Sequence, residues 1–141
     1  MLRDYARLHG MAKAAAPHAE AAAATPQGRR QATEYIATGG EHLPPAVVAD
    51  IIRATAGCEA ALPMIDYAIR EPWTLDAERI ACPVRIVWGT EDRLLPWPSA
   101  AARYRRDLPQ ADWVELGGAG HCPQIDRPLE TAQLILGFTD T

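Results

Sequence analysis

The sequence is poor in several of the residue types that usually advertise a function. Its 141 residues hold one Phe, one serine (Ser99) and three cysteines, Cys58, Cys82 and Cys122. An odd cysteine count, with no C-x-x-C and no clustered histidines, makes neither a disulfide framework nor a zinc site. No metal or organic cofactor is implied, and a reducing cytoplasm is the expected compartment. No apolar run approaches the roughly 20 residues of a membrane span. The N-terminal stretch carries Arg3, Asp4, Arg7 and Lys13, and its alanine runs are too short for a signal-peptide core. A formal net charge of −4 leaves no basic face, which argues against nucleic acid and anionic membranes as partners. No internal repeat is present.

What remains is the composition of a soluble globular protein, 48% apolar and 23% charged, at the length of one ordinary domain. Alanine supplies much of the apolar count in the first half, so burial there is expected to be shallow. Leu2, Tyr5, Leu8 and Met11 recur at helical spacing up to Pro17. Ala19 to Ala24 suits a helix but offers little to pack. Thr25-Pro26 is a helix start, with Thr25 as N-cap, and that helix should carry Ala32, Tyr35 and Ile36 inward and stop at Gly39-Gly40. Pro44-Pro45 opens another, with Val47, Val48, Ile51 and Ile52 as its stripe and Gly57 at its end. Leu62, Ile65 and Ile69, beside Met64 and Tyr67, predict one more that stops before Pro72. Residues 1–80 thus read as a helical, cap-like or lid-like segment.

The period changes after Ile80. Val84 to Trp88 is a nearly continuous, β-branched apolar run, the pattern of a strand covered on both faces of a parallel sheet. It breaks at Gly89-Thr90-Glu91-Asp92, a helix follows from Pro98 to near Leu108, and a second strand spans about Asp112 to Leu116. Strand, helix, strand is a right-handed crossover joining two parallel strands. Pro128, Leu129, Ala132, Ile135 and Leu136 make a final helix. In such sheets reactive groups gather beyond the carboxyl ends of the strands. Asp92 follows the first strand and His121 follows the second, inside G-G-A-G-H-C-P, so both belong to one edge. A carboxylate beside a histidine fixes its tautomer and stabilises the imidazolium.

Each of these residues also has a plainer reading. His121 alone suits a hydrogen-bonded loop position and Asp92 an Asx-turn; Glu91 competes for the acid role, but the G-x-x-D spacing from the strand-ending Gly89 favours Asp92. Asp126 reads most simply as the N-cap of the final helix. Trp88 belongs to the sheet core, and Trp97 is either a packing anchor or part of a substrate wall. Tyr35, Met64, Tyr67 and Trp73 suit a pocket beneath a cap or plain helix packing. His9, His18 and His42 carry no ligand spacing. Arg103, Arg105 and Arg106 read as the solvated side of the crossover helix.

From about Cys82 to Phe138 the chain resembles the C-terminal third of an α/β-hydrolase, through C-P-V-R-I-V-W-G-T-E-D, L-P-Q-A-D-W-V-E-L and G-A-G-H-C-P-Q-I-D-R-P. The resemblance implies an α/β fold: the C-terminal part of that family's sheet over residues 81–141, preceded by a cap over residues 1–80. It implies that Asp92 is the acid and His121 the base, in the order the family uses after its nucleophile. It also implies a small-molecule substrate, a fairly apolar ester or a related acyl, epoxide or carbon–carbon compound, lined by residues such as Trp97, Tyr67 and Met64. The departure is equally plain. No G-x-S-x-G elbow or oxyanion-hole motif is present, Ser99 lies in W-P-S-A-A, Cys58 lies in A-G-C-E-A, and Cys122 adjoins His121.

Two strands cannot cover their own apolar faces, and the outer edge of the first is open to pairing. The expectation is therefore a partial hydrolase, inactive by itself: a truncated product, half of a split enzyme, or a remnant held by self-association. The competing expectation is a non-catalytic binding or assembly module that holds a partner at its open sheet edge.

Overall fold

The computed structural model describes residues 2–71 and 74–139. The chain forms two compact units, one of Met1–Ala32 with Glu41–Thr74 and one of Thr33–Gly40 with Leu75–Thr141. Residues 1–80 are therefore not one body, because Thr33–Gly40 groups with the sheet.

The first unit is helical: α1 (Leu2–Ala15), a 3-10 turn, α2 (Ala19–Ala23), the start of α3 (Pro26–Thr33), α4 (Pro45–Gly57) and α5 (Ala61–Arg70). Its core is Ala19, Ala23, Val48, Ala49 and Ile52. The alanine run expected to offer little to pack is thus the centre of the unit, with Ala19 and Ala23 fully buried. Methyl side chains let α2 lie close against α4, with Ala19 and Ala23 facing it. Val47 faces outward instead of joining the α4 stripe, and α5 buries no residue. Helix α3 starts as expected, with the Gly28 N–H donating to Thr25 Oγ1 at 3.0 Å. It ends at Thr33, short of Gly39: the Ile36 N–H closes a tighter three-residue turn on the Thr33 carbonyl at 2.9 Å, and the Thr38 and Gly39 N–H groups leave for the Asp126 carboxylate. Helix α5 ends at Arg70, and Pro72 lies outside the described residues.

The second unit holds β1 (Arg85–Gly89), α6 (Ser99–Asp107), β2 (Asp112–Leu116), α7 (Pro123–Asp126) and α8 (Pro128–Thr139). The strands are parallel, with Arg85 opposite Asp112 and Gly89 opposite Leu116, so both end at one edge. Trp88 is buried, its ring 5.8 Å from Tyr104, 6.2 Å from Trp97 and 6.3 Å from Trp113. Arg105, expected on the solvated side of the crossover helix, lies over the rings of Trp97 and Trp113, 4.8 and 4.9 Å from their centroids, and pairs with Glu115. A guanidinium stacks on indole faces while keeping its ion pair. The apolar stripe of α8 is exposed, Leu129 at 80%, Ile135 at 57% and Leu136 at 60%. A two-stranded sheet is too narrow to cover it. Arg85 ties α8 to β1, donating to the Leu134 carbonyl at 2.6 Å and sitting 4.8 Å from the Phe138 ring centroid. Among the described residues no helix is long and apolar enough to cross a membrane.

Candidate active site

The site forms where β1 and β2 end together. Gly89 closes β1 against the loop that follows β2, and the backbones touch: a Cβ on Gly89 would lie 2.2 Å from the Gly120 carbonyl oxygen and 2.3 Å from that of Ala119. Only glycine permits this approach. The chain then turns, with the Asp92 N–H donating to the Gly89 carbonyl at 3.2 Å. Asp92 is 7% exposed. Its Oδ1 accepts the N–H groups of Leu94 at 2.9 Å and Leu95 at 2.8 Å, which aims Oδ2 at Nδ1 of His121, 3.0 Å away. Glu91 spends its N–H on the Ala119 carbonyl at 3.0 Å and leaves its side chain exposed, so the acid facing the histidine is Asp92.

The histidine loop is pinned almost residue by residue. Gly118 takes a left-handed φ of +70°, which favours glycine. Its N–H donates to Thr90 Oγ1 at 3.0 Å, and its carbonyl accepts Thr38 Oγ1–H at 3.0 Å. The Gly120 N–H donates to Asp126 Oδ2 at 2.7 Å, and the Cys122 N–H donates to the Ile36 carbonyl at 2.8 Å. Asp126 was expected to cap the final helix. Its carboxylate instead reaches across the fold, accepting the N–H groups of Thr38 and Gly39, each at 2.9 Å to Oδ1. Burial, the largest single influence, pushes the Asp126 pKa up, but the N–H donors of Gly120, Gly39 and Thr38 together outweigh it and hold the group below its ordinary value.

An ionised carboxylate only accepts, so the hydrogen bond assigns the proton of neutral His121 to Nδ1 and leaves a lone pair on Nε2. The Asp92 side chain is 5% exposed and that of His121 31%, so the acid is enclosed while the imidazole reaches solvent. Such a pair can take a proton at Nε2 and return it. Among the described residues no hydroxyl or thiol hydrogen-bonds Nε2. Ser99 Oγ donates to the Pro96 carbonyl at 3.1 Å. Cys58 is exposed beyond the end of α4. The Cys122 thiol is pushed up in pKa, first by burial and then by Asp92 and Asp126, and so stays protonated. No group of three or more His, Cys, Asp or Glu among the described residues is placed to hold a metal.

Of the residues expected to line a substrate, Trp97 belongs to the sheet unit and Met64 and Tyr67 to the helical unit. Trp97 packs on Trp88 beneath Arg105, which makes it an anchor of the aromatic cluster. Met64 and Tyr67 are exposed at 64% and 62% on α5, where Tyr67 joins Leu62, Pro63, Asp66, Arg70 and Glu71 around an open hollow of about 580 Å³. Trp73 lies outside the described residues. The bonds from Thr38 and Gly39 to Asp126 have no signature in the sequence, since a carboxylate that collects backbone donors 87 and 88 positions away leaves no local pattern.

Comparison with known proteins agrees with this architecture. A family model described as alpha/beta hydrolase fold matches residues 9–128. No curated protein matches. Among solved structures, the chain is similar to "Crystal structure of a membrane phospholipase A, a novel bacterial virulence factor", with a TM-score of 0.59 and 24% identity over 82% of this chain. The chain spans 38% of that protein's length, and the likeness is one of fold.

Proposed function

The chain belongs to the α/β-hydrolase fold family, and from that premise we propose that Asp92 and His121 are the acid and base of a nucleophile–His–acid triad. The substrate class we propose is a small, fairly apolar ester or a related acyl, epoxide or carbon–carbon compound. The observation that carries the reading is the 3.0 Å bond between the His121 ring and the buried carboxylate of Asp92, whose other oxygen is held by two backbone N–H groups. The nucleophile comes from outside these 141 residues.

For an ester the steps are these. Nε2 of His121 takes the proton of the nucleophile as it attacks the acyl carbon, and Asp92 stabilises the imidazolium that forms. Nε2–H then protonates the leaving alcohol as the ester bond breaks. Water, deprotonated at Nε2, attacks the acyl intermediate, the acid product leaves, and the proton returns to the nucleophile.

Two measurements test this. In a protein carrying this chain together with a nucleophile elbow, His121→Ala and Asp92→Asn each lower kcat/KM for a p-nitrophenyl ester by about 10³–10⁴-fold. Losses under tenfold for both would sink the triad. The 141-residue chain by itself hydrolyses the same ester no faster than its His121→Ala variant, and a clear His121-dependent turnover would reveal a nucleophile within it.

A second reading, a binding module that pairs a partner at its sheet edge, draws on the two-stranded sheet, in which each strand has an unpaired side. It predicts association of the purified chain on size exclusion with no loss in His121→Ala.

A further inference from the structure

We propose that Asp126 is a positioning residue for His121, fixing the backbone on both flanks of the imidazole through one carboxylate. The proposal rests on the reading of His121 as the base. The residue before the histidine is held directly, by the Gly120 N–H on Asp126 Oδ2 at 2.7 Å. The residue after it is held at one remove. The Cys122 N–H donates to the Ile36 carbonyl at 2.8 Å, and the strap carrying Ile36 is fastened two and three residues on, where Thr38 and Gly39 both donate to Asp126 Oδ1 at 2.9 Å. Thr38 closes the circuit through its hydroxyl, which donates to the Gly118 carbonyl at 3.0 Å. The space is tight as well. A Cβ on Gly120 would meet Ala37 Cα, the Ile36 carbonyl oxygen and Asp126 Oδ2, each at 3.2 Å.

This arrangement needs a charged carboxylate and not merely a polar group. The two oxygens point at different partners, Oδ1 at the strap and Oδ2 chiefly at the histidine loop, and every partner is a donor. An asparagine keeps one acceptor and turns an NH₂ toward N–H groups on the other side, so one arm of the clasp is replaced by a donor–donor clash. The Asp92 bond fixes the plane and tautomer of the ring. The Asp126 clasp fixes the backbone from which that ring projects, and a catalytic base displaced by about 1 Å loses much of its effect.

The test is NMR of the isotope-labelled chain with Asp126→Asn. In the wild type the His121 ring shows one tautomer with a resolved Nδ1–H signal. In D126N that signal broadens or is lost and the ring nitrogens average, while the amides of Gly120 and Cys122 exchange at least about tenfold faster. Amides of Ile86, Trp88 and Val114 within the strands keep their protection. A D126N ring spectrum identical to the wild type would overturn the proposal. Should D126N fail to fold, the wild type decides alone. The Thr38, Gly39, Gly120 and Cys122 amides then exchange as one unit with a shared opening free energy, and independent exchange of Gly120 and Cys122 from the strap overturns the clasp. These readouts involve no turnover. A loosened His121 in D126N, alongside no activity loss for His121→Ala in an elbow-bearing protein, would sink the triad and leave the clasp standing.

Discussion

Gly89 carries the most geometry of any single residue near the site, because two carbonyl oxygens of the histidine loop occupy the space of its missing Cβ. The obstacle is backbone on a pinned loop, so relief requires moving Ala119 and Gly120 together with their hydrogen bonds. Gly89→Ala should therefore cost at the upper end of overpacking, about 3 kcal/mol. The urea midpoint of the isolated chain measures it, and a loss under about 0.5 kcal/mol would show that the loop yields. The role of this glycine was legible in part. The spacing from Gly89 to Asp92 already favoured that carboxylate over Glu91, and the structure adds the reason, a turn that buries one and exposes the other. Asp126 was not legible. Its position ahead of Pro128 suits an N-cap equally well, and nothing local announces donors from Thr38 and Gly39. The same blindness hid Arg105, whose charge suggested water while its flat guanidinium found two indoles.

Helical period revealed which faces are apolar, and it could not say what lies opposite them. In α4 the stripe finds α2, and Val48, Ala49 and Ile52 are buried against alanines. In α8 an equally clear stripe stays open, with Leu129, Ile135 and Leu136 exposed. The two helices should respond oppositely to substitution. Ile52→Ala removes methylenes from a closed core and costs about 2–5 kcal/mol. Leu129→Glu and Leu136→Glu change only exposed surface in this chain and stay within about 0.5 kcal/mol. Urea melts of the three variants check this, and a Leu129→Glu cost matching that of Ile52→Ala would mean that α8 is covered in solution. The strap at Thr33–Gly40 shows the same limit from the other side. Its sequence, T-E-Y-I-A-T-G-G, reads as the end of a helix, yet the N–H groups of Thr38 and Gly39 go to Asp126 rather than to the preceding turn.

At the scale of the molecule, the change of period near residue 80 marked the sheet, but the division into units follows contacts, which return residues 33–40 to the strand side. Among the described residues Glu41 and Asp126, one in each unit, have pKa values lowered by folding, and both lose their contribution in acid. Glu41, in the helical unit, is brought from 4.5 to about 2, first by its hydrogen bond from Arg30 and then by its own backbone N–H. Asp126, in the sheet unit, is held below its ordinary 3.8 by the net effect of three backbone N–H donors against burial. A carboxyl with a depressed folded pKa binds protons more readily when unfolded, so its contribution is complete above the unfolded value and disappears as pH falls through the folded one. Stability should therefore be flat with respect to these two groups from neutrality to about pH 4.5, then drop toward pH 2. The two contributions differ in kind. Arg30 is 66% exposed, so its pairing with Glu41 is screened by salt, whereas the donors on Asp126 are backbone groups fixed by the fold. Urea midpoints recorded between pH 7 and pH 2.5 should fall in the wild type, fall less steeply in Asp126→Asn at any salt, and fall less steeply in Glu41→Gln only at low salt. A wild-type midpoint unchanged down to pH 2.5, or an Asp126→Asn slope equal to the wild type, would show that the carboxylate binds its N–H donors no better charged than protonated.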